Sequence, residues 1–224
     1  MPIEETSLLI VDDDASICAL LSAILSQSGY WVRTAKDGFS ALVEIRNEIP
    51  DILLSDLNMP GMSGFELLSV VRRRFPVIQV IAMSSIFSGN DLPLGVVADA
   101  YYEKGSNIRS LLPILEGLTK SERIRAKRPS IPSAPIWIPM NGHDPSGDAF
   151  VIIACPECLR TFPKVLDESL RTICETECVH CSSMIHYAIV PPIDSAAPPA
   201  RKQPYLGRSS SVPGNEIFRR PRAV

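Results

Sequence analysis

Three aspartates in a row, Asp12, Asp13 and Asp14, follow the apolar run "LLIV" at residues 8–11. Like charges this close repel, and carboxylates at the mouth of a buried strand are costly to desolvate. The cluster implies either a positive partner in front of it or a solvated turn. Other apolar runs end on groups of related chemistry. "DILLSD" (51–56) ends on Asp56, "VIQVIAM" (77–83) leads into Ser84 and Ser85, and "DAYYEK" (99–104) ends on Lys104. A second constellation lies further on: "CPEC" (155–158) and "CVHC" (178–181), two Cys-x2-Cys pairs with 19 residues between them. That spacing reads as a zinc site, because each pair bends as a knuckle and the four thiolates close a tetrahedron.

The elements that must position the first set alternate between short apolar runs and stretches of helical period. In "ASICALLSAILSQSG", Ile17, Leu20, Leu21, Ile24 and Leu25 share a face, and Gly29 supplies a C-terminal stop. In "GFSALVEIRNEIP", Phe39, Leu42, Val43 and Ile45 recur near the helical period. "GFELLSVVRRRFP" ends on arginines, which suits the helix dipole. "NIRSLLPILEGLTK" is a last helix that Pro113 must kink or delay. Between the fourth and fifth strands, "SGNDLPLGVVA" holds Gly89, Pro93 and Gly95, so any helix there is short or irregular. Strand then helix, repeated five times, predicts an α/β fold with a doubly wound, five-stranded parallel sheet. In such a sheet, ligands gather at the carboxyl ends of the strands. Asp12, Asp13, Asp56, Ser84 and Lys104 would then project to one rim.

Residues 1–120 resemble the receiver domain of bacterial two-component response regulators, a flavodoxin-like fold. The matching stretches are "IVDDD" (10–14), "LLSDLNMPGMSGFELL" (53–68), "VIAMSS" (80–85) and "DAYYEK" (99–104), in order and at fitting separations. The resemblance implies that Asp56 accepts a phosphoryl group from a histidine kinase or a phosphotransfer protein. It implies Mg²⁺ held by Asp12, Asp13, Asp56 and the backbone carbonyl of Asn58. It makes Lys104 the cation beside the phosphoryl group, Ser84 the hydroxyl that closes over it, and Tyr101 the aromatic switch. The chemistry is reasonable: a carboxylate can attack phosphorus, and the charge on the transferring oxygens needs cations. Asp14 falls outside this set and suits the start of the first helix. Two departures stand out. Ser84 takes the place of the usual Thr, and Gly105 follows Lys104 where the family carries Pro.

Two other readings of the acidic set stay open. A receiver-shaped module could bind partners without being phosphorylated. An aspartyl phosphatase would use an Asp-x-Asp nucleophile, but Asn58 stands where the second acid belongs. In neither the leading nor the adaptor reading is the protein an enzyme beyond its own phosphorylation and dephosphorylation.

The rest of the chain changes character. Residues 121–149 are rich in Pro and Ser and read as a linker, in which Trp137, between two isoleucines, could dock on a neighbouring surface, although lone linker aromatics usually have no such role. Residues 150–190 form a small β module of zinc-ribbon type, with Cys155, Cys158, Cys178 and Cys181 as the Zn²⁺ ligands. Cys174 could compete as a ligand, His180 would point outward from its knuckle, and His186 belongs to a strand. A redox pair is the alternative to metal. Residues 191–224 are basic and read as a disordered tail. Neither the net charge of −3 nor the charges between the cysteine pairs, among them Arg160, Lys164, Arg171, Asp167 and Glu168, make a basic stripe. No helix-turn-helix pattern appears, so sequence-specific DNA binding is not supported. No signal peptide or membrane span is visible, which points to the cytoplasm and reduced thiols. The leading expectation is a response regulator that switches a downstream protein target through the receiver face or the ribbon. The rivals are a phosphorylation-independent zinc adaptor and a non-specific nucleic-acid binder using ribbon and tail.

Overall fold

The computed structural model describes residues 6–87, 92–121, 134–166 and 173–191. Five parallel strands, β1 (Ser7–Val11), β2 (Trp31–Ala35), β3 (Ile52–Asp56), β4 (Gln79–Ser84) and β5 (Ala100–Glu103), form one sheet in the order β2-β1-β3-β4-β5. Helices α1 (Ala15–Gln27), α2 (Gly38–Asn47), α3 (Gly64–Arg74) and α4 (Leu111–Ser121) cover both faces. Strands β1, β3 and β4 are buried at every position, as two-sided coverage requires. Alternate residues serve two cores. Leu8, Ile10, Ile52 and Leu54 pack with Leu21 of α1 and Leu115 of α4. Leu9, Val11, Leu53 and Val80 pack with Ile45 of α2 and Phe65 of α3.

The helices start where local chemistry dictates. Asp14 caps α1 by accepting the Ser16 amide, Asp37 closes a capping box with Ser40 on α2, and Ser63 closes one with Glu66 on α3. Pro113 sits in the first turn of α4, after a 3-10 turn at Ile108–Ser110, where its missing amide costs no intrahelical bond. The buried faces differ in detail from the sequence pattern. On α2, Ala41 and Ile45 face the core while Phe39 and Val43 are exposed; on α1, Leu20 is exposed and Cys18 is buried in its stead.

Between β4 and β5 the described residues contain no helix. Arg72 of α3 holds this connection. It donates from Nε to the Val97 carbonyl at 2.9 Å and from Nη2 to Asp99 at 2.5 Å, an ion pair only 3% exposed on both sides. The arginine-rich end of α3 is therefore more than a match for the helix dipole.

The linker expected over 121–149 needs correction. Residues 122–133 lie outside the described residues, but the second half of the span carries strands. Strand β6 (Ile136–Ile138) pairs in parallel with β11 (Met184–Ile189), which pairs antiparallel with β10 (Cys174–Glu177). A second small sheet joins β7 (Gly142–His143), β8 (Ala149–Ala154) and β9 (Thr161–Val165). Trp137 is 6% exposed and joins the core beside α3. Its ring lies 4.7 Å from that of Phe65, and its indole N–H donates to the Gly95 carbonyl at 3.1 Å. A tryptophan thus packs beside the β4–β5 connection, whose described residues carry no helix. The tail expected over 191–224 lies, from residue 192 on, outside the described residues, as do Asp167, Glu168 and Arg171. Among the described residues, no helix is long and apolar enough to cross a membrane.

Candidate functional site

The strand ends do converge. β1 delivers Asp12 and Asp13, β3 delivers Asp56, and oxygens of the three carboxylates lie within 4.8 Å of one another. Lys104, just past β5, reaches into this cluster. Its Nζ is 2.6 Å from Asp56 Oδ2 and 2.8 Å from Asp12 Oδ2. The ammonium answers part of the repulsion among the aspartates. Asp12 and Asp56 are buried, whereas Asp13 is exposed at the mouth.

Each side chain is fixed by its neighbours. Asp56 Oδ1 accepts the Asn58 amide at 3.1 Å, and Asp12 Oδ1 accepts the Asp14 amide at 3.0 Å. Gly64, the first residue of α3, lets the helix approach the acceptor strand: a Cβ there would meet the Asp56 carbonyl at 1.9 Å. Its amide donates to the Leu57 carbonyl at 3.0 Å, which closes the loop onto the helix. The "GMSG" stretch was the available signal for this contact, since a glycine at a helix start suggests close packing.

Burial pushes the Asp56 carboxyl above the usual range, and the Lys104 ammonium only partly offsets it. Burial also works against the Lys104 ammonium, but the Asp12 and Asp56 carboxyl groups beside it outweigh this and hold its pKa above the usual value. Asp12 Oδ2 is fully buried, sits beside Lys104, and still accepts no directed hydrogen bond. A buried carboxylate oxygen without one, in a group of hard oxygen donors, fits a divalent cation such as Mg²⁺.

Ser84, fully buried, donates from Oγ to Asn58 Oδ1 at 3.1 Å and accepts the Ile86 amide at 3.1 Å. Tyr101 is half-buried. Its hydroxyl donates to the Ser84 carbonyl at 3.2 Å and also to the Phe87 carbonyl. Burial, with the charges of Glu103 and Asp56 behind it, pushes this phenol up to about 12. The Lys104 amide donates to the same Ser84 carbonyl at 2.9 Å, so Ser84, Asn58, Tyr101 and Lys104 are joined along one edge of the acidic cluster. Gly105 after Lys104 adopts φ +84°, a conformation that a proline could not take.

A second cluster lies in the C-terminal module. Sulfurs of Cys155, Cys158, Cys178 and Cys181 all fall within 4.8 Å of one another, with Cys155–Cys181 at 3.7 Å and Cys158–Cys178 at 3.8 Å. A tetrahedral zinc with Zn–S of about 2.3 Å would place its sulfurs about 3.8 Å apart. The two knuckles repeat one hydrogen-bond pattern: the Leu159 amide donates to the Cys155 carbonyl and the Ser182 amide to the Cys178 carbonyl, both at 2.9 Å. Cys174 is not in the cluster; it lies on β10 opposite Tyr187. His180 is exposed, with Nε2 3.3 Å from the Thr161 carbonyl, and His186 lies on β11 with Nδ1 3.2 Å from Glu175. Cys18 is a buried thiol on α1.

Comparisons with known proteins bear on the first cluster. The family model "Response regulator receiver domain" matches residues 8–101. A CheY-like receiver domain protein from Methanospirillum hungatei is 34% identical; the match covers 54% of this chain and 99% of that one, with a TM-score of 0.50. The DNA-binding transcriptional regulator NtrC of Salmonella typhimurium is 37% identical over 97 residues, 43% of this chain and 19% of that protein. The alkaline phosphatase synthesis transcriptional regulatory protein PhoP of Bacillus subtilis is 33% identical over 122 residues, 53% of this chain and 50% of that protein. The chain therefore spans about a fifth of the length of the one regulator and half of the other.

Proposed function

Because this chain belongs, through residues 8–101, to the response regulator receiver domain family, we propose that it receives a phosphoryl group in two-component signalling and that Asp56 is the acceptor. The observation that carries this reading is the meeting of Asp12, Asp13, Asp56 and Lys104 at the ends of separate strands. The donor is a phosphohistidine on a histidine kinase or a phosphotransfer protein. An Asp56 carboxylate oxygen attacks phosphorus, the P–N bond breaks, and the electron pair leaves with the imidazole. Mg²⁺, when bound, neutralises charge on the phosphoryl oxygens. Asp12, Asp13, Asp56 and the Asn58 carbonyl would hold it. Lys104 supplies the second cation. Ser84 gives up Asn58 and turns its hydroxyl to a phosphoryl oxygen, and Tyr101 follows because its own hydroxyl is tied to the Ser84 carbonyl. Phosphorylation adds roughly 1.5 to 2 negative charges at this edge, enough to drive such a rearrangement.

The four-cysteine cluster holds Zn²⁺ and gives the module its fold, since so few residues make too small a core alone. The output is a changed interaction of the receiver face or of the module with a downstream protein. DNA binding is a second reading, favoured by the names of the NtrC relatives. Their match covers 97 residues, 43% of this chain and 19% of that protein, and the described residues beyond 121 contain no helix that could enter a major groove. A radiolabelled small phosphodonor with Mg²⁺ tests the main reading. Wild type should take up label and Asp56→Asn should not; equal labelling of both would place the acceptor elsewhere.

A further inference from the structure

The two clusters share a wall. In the β6–β11 pair, Ile136 lies opposite Tyr187, Trp137 opposite Ala188 and Ile138 opposite Ile189. Successive strand residues face opposite sides, and here each side belongs to a different core. Ile138, Ile185 and Tyr187 pack with Cys155 and Cys178. Trp137 and Ala188 belong to the receiver core with Phe65. The strand downstream of the second knuckle is therefore also the strand that seats Trp137 on the receiver.

From Trp137 an unbroken set of contacts leads to the acidic site. Phe65, 4.7 Å from Trp137, meets the ring of Phe87 edge-on at 6.0 Å. The Phe87 carbonyl accepts the Tyr101 hydroxyl, which also holds the Ser84 carbonyl. The Ser84 hydroxyl rests on Asn58, two residues past Asp56. Arg73 adds a tie by donating to the Ala134 carbonyl, just before β6.

We propose that metal loading of the four-cysteine site is an effector input to the receiver. The loaded module holds Trp137 in its seat, and the seated Trp137 keeps Phe87, Tyr101 and Ser84 in these contacts. The coupling rests on the proposed roles of both sites, phosphoryl acceptance at Asp56 and zinc at the cysteines. β6 is three residues long, and its strand partner among the described residues is β11. β11 begins three residues after Cys181. Without metal the small core loosens, β11 loses its anchor, and β6 cannot hold the indole alone. A clamp that favours Ser84 on Asn58 must disfavour Ser84 on a phosphoryl oxygen. Zinc and a phosphoryl group then weaken each other's binding by one common factor.

The test uses the full chain carrying Trp31→Phe, which leaves Trp137 as the sole tryptophan of the two. Its emission, its quenching by acrylamide and its affinity for beryllofluoride with Mg²⁺ are measured zinc-loaded, after a zinc-selective chelator, and after zinc is restored. Zinc removal should shift the emission to the red, raise quenching, and tighten beryllofluoride binding about 5-fold or more, the lower end of typical couplings; zinc should reverse all three. Unchanged emission or unchanged affinity overturns the proposal. Absence of bound zinc overturns it together with the zinc reading, and absence of beryllofluoride binding in either form overturns it together with the phosphoryl reading. Both ligands bound but independent overturns the coupling alone. Ala188→Glu separates wall from metal. It places a charge on the receiver side of the wall and touches no cysteine, so it should shift the emission and tighten beryllofluoride binding while zinc stays bound. Zinc-bound Ala188→Glu with the parent's emission and affinity overturns the proposal as well.

Discussion

Replacing Trp137 by alanine is the sharpest test of whether the segment after residue 133 belongs to the receiver's core. A surface aromatic in a linker could be removed at a cost within about 0.5 kcal/mol. Trp137 is only 6% exposed, lies on Phe65, and donates to the Gly95 carbonyl. Truncating a buried tryptophan costs about 3–5 kcal/mol, of which a single lost hydrogen bond accounts for about 1 kcal/mol. In a chain of this size that corresponds to a fall in Tm of roughly 6–20 °C. Trp137→Phe keeps an aromatic ring against Phe65 but loses the donor to Gly95, so it should lose less than the alanine variant. Urea unfolding followed by far-UV circular dichroism gives both values. A loss below about 1 kcal/mol for Trp137→Ala, in the range of an ordinary surface site, would refute the reasoning. So would equal losses for the two variants, since the ring contact would then contribute nothing.

Other outcomes stem from the same geometry. Burial holds the Asp56 carboxyl above the 3.8 of an ordinary aspartate, so its ionised form subtracts stability as pH rises through the folded-state value. Asp56→Asn should therefore raise Tm at neutral pH, with the gain shrinking on acidification; a less stable variant at neutral pH contradicts this. Gly64→Ala should destabilise by about 1–3 kcal/mol or more, because its Cβ would fall 1.9 Å from the Asp56 carbonyl and force helix or strand to shift; an unchanged melting curve rules out that close approach. Lys104→Met removes the ammonium beside Asp12 and Asp56, so Mg²⁺ should raise the Tm of this variant more than that of the parent. Equal shifts in a metal titration would mean that lysine and metal do not answer the same charges. Chelation of the four-cysteine site should melt the β6 to β11 region while β1 to β5 persist, read by hydrogen exchange; uniform protection would show that the thiols hold no structural metal.

How much of this was legible in the sequence depended on how local each cause is. β1, β3 and β4 read as apolar over most of their length because both faces are covered, and their carboxyl-end residues could be read off directly. The cysteine cluster was legible from spacing alone, because a knuckle is a local structure. Docking of Trp137 was an open alternative in the sequence, but its seat was not legible. Its partners are Phe65, Gly95 and Ala188, each tens of residues away, and a proline-rich neighbourhood says nothing of a distant groove. Arg72 misled for a related reason. An arginine in a last helical turn satisfies the dipole rule, and only the fold shows it buried against Asp99. Phe39 and Val43 fit the helical period of α2 yet face outward, because Ala41 and Ile45 set the side that meets the sheet.

The central claim is that Asp56 is the residue phosphorylated, in a site completed by Mg²⁺. An aspartyl phosphate can be reduced with borohydride to homoserine, which marks the modified position permanently. Peptide mass spectrometry after treatment with a small phosphodonor should find homoserine at position 56 with Mg²⁺ present and not with Mg²⁺ removed. Homoserine at position 12 or 13 instead, or the same yield at position 56 without Mg²⁺, would contradict it.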